Sequence, residues 1–241
     1  LTGKKQLAEL CRELAKIDGV EWIRLHYLYP ELIDDALIDE IACEDKIVKY
    51  LDIPIQHIDD EILRKMNRRG NGQCVRELFT KLRKAIPGLV LRTSLITGLP
   101  GEGEEQFAEL CDFLKEYKLE RVGAFAFSPE EGTHAAEMEY PDTEIAKQRA
   151  DMVAEIQSRI MDDYNESCVG KTMQVLCEGY DPDEESYYGR TYADSPDIDG
   201  KIWFTAEKHI KTGSFVQVRV IDTYDGELVG VLEEEFNDDC K

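Results

Sequence analysis

The sequence predicts an α/β chain: a partial (β/α) barrel followed by a small all-β barrel. Three observations carry this. Apolar runs bounded by Gly and Pro alternate four times with helical stripes, at about 30 to 40 residues per unit, the length of βα units. The runs are near-continuously apolar, as expected of a parallel sheet covered by helices. After Gly170 the pattern changes to short alternating strands with Gly and Asp turns, which marks an all-β unit.

Leu7, Leu10, Cys11, Leu14 and Ile17 recur at helical spacing, and Asp18-Gly19 ends that helix. Glu21 to Tyr29 reads as the first strand, closed by Pro30. Leu32, Ala36, Leu37 and Ile41 give a second helix, and Val48 to Gln56 a second strand. Asp59 and Asp60 suit the start of a short helix over Glu61 to Asn67. Val75, Leu78, Phe79, Leu82, Ala85 and Ile86 form a strong stripe, stopped by Pro87-Gly88. Leu89 to Thr97 is the third strand, Phe107, Leu110, Cys111 and Leu114 mark the next helix, and Val122 to Ser128 is the fourth strand. Asp142 to Tyr164 is a long helix with Ile145, Val153, Ile156 and Ile160 on its apolar face. Beyond it, MQVLCEGY, YYGRTY, KIWF, SFVQVRVID and ELVGVLEEE read as the strands of a small barrel or sandwich. The domains are therefore 1–166 and 167–241, and four βα units are too few to close an eight-stranded barrel. The chain starts at Leu1, not Met, and reads as a fragment whose earlier strands lie upstream.

Net charge is −22 on 241 residues. Such a field repels phosphate backbones and attracts basic partners, or simply keeps an acidic cytoplasmic protein soluble. No run approaches the roughly 18 apolar residues of a membrane span. The seven cysteines, Cys11, Cys43, Cys74, Cys111, Cys168, Cys177 and Cys240, contain no CxxC, CxxxC or CxxH pair. Iron–sulfur and structural zinc sites need close spacing, so reduced thiols and no metal ligands are expected. Cys11 and Cys111 fall in apolar stripes and suit the core.

In parallel βα architectures ligands bind at the carboxyl ends of the strands. The first strand ends with Arg24, His26, Tyr27 and Tyr29, the second with Gln56-His57, the third with Thr97-Gly98-Leu99-Pro100-Gly101-Glu102, and the fourth with Ser128 to Thr133. Gly98 and Gly101 remove side chains and Pro100 fixes the path, so a bulky ligand could approach the backbone there; an ordinary strand-to-helix turn has the same composition. Gln56 offers a donor and an acceptor for sugar hydroxyls. Arg68 and Arg69 suit either a carboxylate clamp or the end of a short helix. No nucleophile motif with a partnered histidine, HExxH, P-loop or GxGxxG is present, so difficult chemistry would need a cofactor.

Five collinear segments carry a resemblance. YLDIPIQH, MNRRG, LRTSLITGLPGE, RVGAFAFSPEEGT and GRTYADSPDIDGKIWF occur in the order seen in radical S-adenosylmethionine (SAM) methylthiotransferases, and the last is similar to their TRAM domain. The chain most resembles the RimO-type branch, which methylthiolates the β-carbon of an aspartate in ribosomal protein S-twelve; a MiaB-type branch modifies adenosine in tRNA. The resemblance implies a radical SAM partial barrel over 1–166 and a TRAM barrel over 167–241. It implies SAM and two 4Fe-4S clusters in the full-length protein, with the CxxxCxxC loop and the N-terminal domain absent here and this fragment inactive. It implies cofactor-binding roles for Gln56, His57, Ile96, Gly98, Pro100, Gly101, Glu102, Phe127 and Ser128, and for Arg68 or Arg69 at the SAM carboxylate.

Charge weighs between the branches. Residues 167–241 hold 7 Lys/Arg against 17 Asp/Glu, a net of −10. A module that follows RNA needs a basic groove, whereas an acidic one steers toward a basic protein such as S-twelve or the small ribosomal subunit. Tyr187, Tyr188, Tyr192 and Trp203 could make an aromatic platform or fill a barrel core. A noncatalytic acidic module that binds a basic protein is the alternative from another class.

Overall fold

The computed structural model describes residue 3 and residues 5–236; Cys240 lies outside the described residues. The chain divides between Ile160 and Met161 into two compact units. Among the described residues no helix is long and apolar enough to cross a membrane.

The first unit runs α1 (Leu7–Ala15), β1 (Ile23–Leu25), α2 (Asp35–Cys43), β2 (Ile47–Asp52), α3 (Asp60–Lys65), α4 (Gly72–Ala85), β3 (Val90–Thr97), α5 (Glu104–Tyr117), β4 (Arg121–Ala126) and the start of α6 (Thr143–Cys168). The four strands form a parallel sheet in the order β1-β2-β3-β4. Chain order equals spatial order because each strand is followed by a helix that returns the chain to the same edge. The apolar stripes meet in one core: Cys11, Ile41, Val75, Phe79, Leu82, Leu110, Cys111 and Val153 from the helices pack on Ile23, Leu25, Leu51, Leu91 and Leu95 of the sheet.

Two strands differ from their sequence reading. β1 covers three residues instead of nine, because Tyr27 takes φ 56, a left-handed conformation that a strand cannot contain. β2 stops at Asp52, before Pro54, and the next residue pair bridged to β3 is Gln56–Leu95. β3 also alternates rather than being buried on both faces. Leu91, Thr93, Leu95 and Thr97 are buried, while Arg92, Ser94 and Ile96 are half-buried on the opposite side. The helices thus take one face of the sheet, and the other carries side chains toward the strand tips.

The second unit is a closed barrel of β5 (Thr172–Asp181), β6 (Ser186–Arg190), β7 (Ile202–Thr205), β8 (Phe215–Tyr224) and β9 (Glu227–Leu232) in the order β5-β6-β7-β9-β8. Closure decides between barrel and sandwich and removes free sheet edges. Val175, Cys177, Ile202, Phe204, Val218 and Val220 fill it. Tyr187 joins them, stacked on Phe204 at 5.6 Å, and Tyr192 packs beside this core. Tyr188 and Trp203, paired across β6 and β7, form the opposite row with ring centroids 5.6 Å apart.

Candidate functional site

The tips of β1 to β4 come together as the parallel order requires. At β2 the chain continues beside β3: Ile53 N donates to Arg92 O, Gln56 N to Ser94 O, and Ile96 N to Gln56 O. Thr93 Oγ1 fills the gap made by Pro54, donating to Ile53 O and accepting from Ile55 N. Gln56 is held at φ 68. A non-glycine residue in that region is strained, and such strain clusters at functional sites. Tyr27, at the neighbouring tip, is the second case; its N–H donates to Asp52 at 3.2 Å. Asp52 also accepts from Arg92 at 2.8 Å. Asp52 was not singled out by the sequence reading, although a carboxylate inside the apolar run VKYLDIPIQ is a usable signal.

Gln56 and Arg68 are joined by Arg68 Nε donating to Gln56 Oε1 at 2.9 Å. The Arg68 guanidinium lies 5.6 Å from the ring centre of Tyr29, which is half exposed. Arg69 is exposed. The two arginines are therefore separated by the structure: Asn67, at φ 54, turns the chain so that Arg68 reaches back to the tip of β2. Asp59 caps α3 by accepting from Ile62 N, while Asp60 instead accepts from Gly72 N at the head of α4.

The loop after β3 has packing partners of its own. A Cβ on Gly98, at φ +75, would stand 2.3 Å from Ala146 Cβ, and one on Gly101 would stand 2.2 Å from Lys65 Nζ. The positive φ favours glycine at both positions, and at Gly98 the Ala146 neighbour also leaves no room, whereas the Lys65 end at Gly101 can swing away. Pro100 is buried, and Glu102 turns inward with its side chain wholly buried. Its Oε1 accepts from Gly98 N at 2.9 Å and from Arg149 Nη1 at 2.8 Å. His57 is also wholly buried, and its Nε2 stands 3.3 Å from Glu102 Oε2. The approach is close, but the alignment is not that of a hydrogen bond. Beside this loop lies a cleft of about 620 Å³ between Lys65, Gly101, Gly103, Met138 and Tyr140.

Ile96 and Phe125 are register partners on the side of the sheet away from the helices, and Phe125 is 57% exposed. Phe127 N donates to Thr97 O, its ring meets Tyr140 edge-on, and Ser128 is exposed. Glu130 to Thr133 form an exposed turn. The tips thus bring together Gln56, Arg68, Ile96, Phe127 and Ser128, with His57, Gly98, Pro100 and Glu102 behind them. Phe125 and Arg149 were missed. An aromatic alternating through VGAFAF signals the first; Arg149 has no local signal, because it reaches the loop from 47 residues away.

This arrangement offers an apolar shelf at Phe125 and a guanidinium held in place at Arg68. Among the described residues Cys11, Cys111, Cys168 and Cys177 are buried while Cys43 and Cys74 are exposed, and burial pushes the thiols of Cys11, Cys111 and Cys177 above their ordinary value.

Comparison with known proteins agrees with both halves. Residues 2–114 match the radical SAM superfamily and residues 169–232 match the TRAM domain. The chain is 46% identical over 98% of its length to the ribosomal protein uS12 methylthiotransferase RimO of Acetivibrio thermocellus, and 45% identical over 97% to that of Clostridium botulinum strain Eklund 17B. In each case it covers 52% of the relative, so the chain spans about half the length of the curated relatives it matches. Among solved structures, coproporphyrinogen III oxidase (HemN) from Escherichia coli, a radical SAM enzyme, matches with TM-score 0.51 at 19% identity, covering 65% of this chain and 37% of that one, which is a likeness of fold. Sheet, barrel and matches together define a radical SAM segment joined to a TRAM domain. The chain's similarity to the uS12 methylthiotransferases runs through both units.

Proposed function

We propose that this chain is the SAM-seating and partner-docking part of an enzyme that adds a methylthio group to the β-carbon of an aspartate in ribosomal protein uS12, in the cytoplasm. The observation that carries the reading is similarity to uS12 methylthiotransferases over nearly the whole chain, extending through the acidic barrel. The radical SAM match over residues 2–114 implies SAM and a 4Fe-4S cluster; two clusters, held by residues other than those of this chain, would leave the chain alone inactive.

The tip residues fit SAM. Arg68 is the better candidate than Arg69 for its carboxylate, because the bond to Gln56 and the face of Tyr29 hold the guanidinium in place. Gln56 would meet the ribose; Ile96 and the backbone of Phe127 and Ser128 would meet the adenine. His57, Gly98, Pro100, Gly101 and Glu102 form the frame behind them. Bound SAM and clusters supply the radical and sulfur chemistry; the residues of this chain orient SAM and exclude water around it. In the full-length enzyme Arg68→Ala should weaken SAM binding by about 10-fold or more, the worth of a charged hydrogen bond, while Arg69→Ala changes it little. Equilibrium dialysis with labelled SAM checks this.

The partner reading rests on charge. The second domain carries −10 overall, and its Tyr188–Trp203 row is capped by Lys201, with the Trp203 indole N–H donating to Glu227. A domain of this net charge suits a cationic partner better than a phosphate backbone. The deciding experiment incubates the reconstituted full-length protein with uS12 and, separately, with tRNA. A mass gain of one methylthio group on uS12 is expected; gain on tRNA alone would favour the MiaB-type reading. Gain on neither, with salt-sensitive binding of uS12, would leave a noncatalytic acidic module.

A further inference from the structure

His57 and Glu102 stand in the frame of the site, yet both side chains are wholly buried and neither can touch a ligand as they stand. His57 Nδ1 accepts a hydrogen bond from Asp59 N at 3.0 Å. That uses the bare nitrogen of a neutral imidazole, so the ring proton sits on Nε2. The Nε2–H then faces Glu102 Oε2 across 3.3 Å. Both atoms are buried, and neither has a hydrogen-bond partner. A donor and an acceptor shut away from water, face to face and unbonded, is a costly arrangement that a shift of a fraction of an ångström would relieve.

The two residues belong to different tips. His57 is rooted in the loop that carries Gln56 and, through Asp59 and α3, leads to Arg68. Glu102 is rooted in the loop after β3 and tied to Gly98 and to Arg149 of α6. Resting on the reading that SAM seats between these tips, we propose that His57 is a positioning residue. Its Nε2–H closes onto Glu102 when SAM draws the two loops together, so that part of the binding free energy comes from a bond the ligand never touches. Hydrogen bonds of this kind are often long in free enzymes and tighten in the complex. The ligand-favoured state gains an interaction that the other state lacks, which a population shift requires.

Two isosteric changes separate this role from simple support. In His57→Asn the amide oxygen replaces Nδ1 and still accepts from Asp59 N, but the reach to Glu102 is lost. In His57→Gln the amide nitrogen still reaches Glu102, but the bond from Asp59 is lost. In the full-length enzyme carrying its clusters, His57→Asn should bind SAM on the order of ten-fold more weakly with a melting temperature near the parent's. His57→Gln should lower the melting temperature and keep SAM affinity within about two-fold. Parent-like affinity in His57→Asn, or both variants losing affinity in step with stability, overturns the proposal. The unsubstituted enzyme supplies a second readout, the ring nitrogen and proton signals of His57. They should report protonated Nε2 and bare Nδ1, with the Nε2–H signal moving downfield when SAM is added. A protonated Nδ1 overturns the proposal. A parent that binds SAM and modifies its substrate while that signal stays still sinks this inference alone. A parent that does neither sinks the functional reading and this inference with it.

Discussion

Replacing Arg149 by alanine is expected to lower the unfolding free energy by about 3–5 kcal/mol, the loss typical when one partner of a buried ion pair is removed. The Arg149 side chain is 7% exposed and that of Glu102 is 0%. Arg149 Nη1 donates to Glu102 Oε1 at 2.8 Å and to Glu102 O at 3.1 Å. Without it the carboxylate keeps the Gly98 amide and the neutral His57 ring beside it, and among the described residues no other cation lies within ion-pair distance. The second bond of Arg149, to Glu104, weighs little, because Glu104 is 89% exposed. Urea unfolding with linear extrapolation measures the loss. Arg149→Ala combined with Glu102→Gln removes the stranded charge, so the pair of changes should cost clearly less than Arg149→Ala alone. A double variant as unstable as the single one would mean that the guanidinium acts by filling space over Phe107, where it stacks at 5.2 Å, and not by neutralising Glu102.

That same cluster shows how far the sequence could be read. The elements followed from periodicity, and some ends from local chemistry: Asp59 capping α3 and Pro87-Gly88 after α4, while α6 runs to Cys168, four residues past the Tyr164 end read from its stripe. The strands came out too long where a tip needed a conformation that no pattern announces. Tyr27 and Gln56 look like strand residues in one letter and sit at positive φ in the fold. The loop after β3 was legible as special because glycine and proline are punctuation. Its meaning was not, because Gly98 owes its missing side chain to Ala146 and Glu102 owes its burial to Arg149. Both come from a helix more than 40 residues downstream, and only tertiary structure brings them there. Composition assigned an acidic character to the second domain; register was needed to decide that Tyr187 faces the core and Tyr188 the opposite side.

Gly189→Ala is the second large effect expected, and it bears on that barrel. Gly189 lies in β6 opposite Cys177 of β5 and Ile202 of β7. A Cβ there would stand 2.3 Å from Leu176 O and 2.8 Å from Val175 Cγ1. Val175 could rotate away, but the Leu176 carbonyl is part of the β5–β6 ladder and cannot move without opening it. Overpacking against backbone should destabilise the second domain by about 2–3 kcal/mol. Gly213 is the control. It sits at φ +85 with nothing within 4 Å of an added Cβ, so Gly213→Ala should cost only the left-handed backbone penalty of about 1–2 kcal/mol. Amide hydrogen exchange separates the two by place as well as size. Gly189→Ala should speed exchange along Leu176–Asp181 and Ser186–Arg190 while the amides of Val90–Thr97 keep their protection. Because side chains alternate along a strand, a one-residue slip of β6 would exchange the places of Tyr187 and Tyr188 and dismantle the Tyr188–Trp203 row. The same variant should therefore weaken binding of uS12 to the full-length enzyme and leave SAM affinity unchanged. Loss of both would place the effect of the substitution outside the barrel.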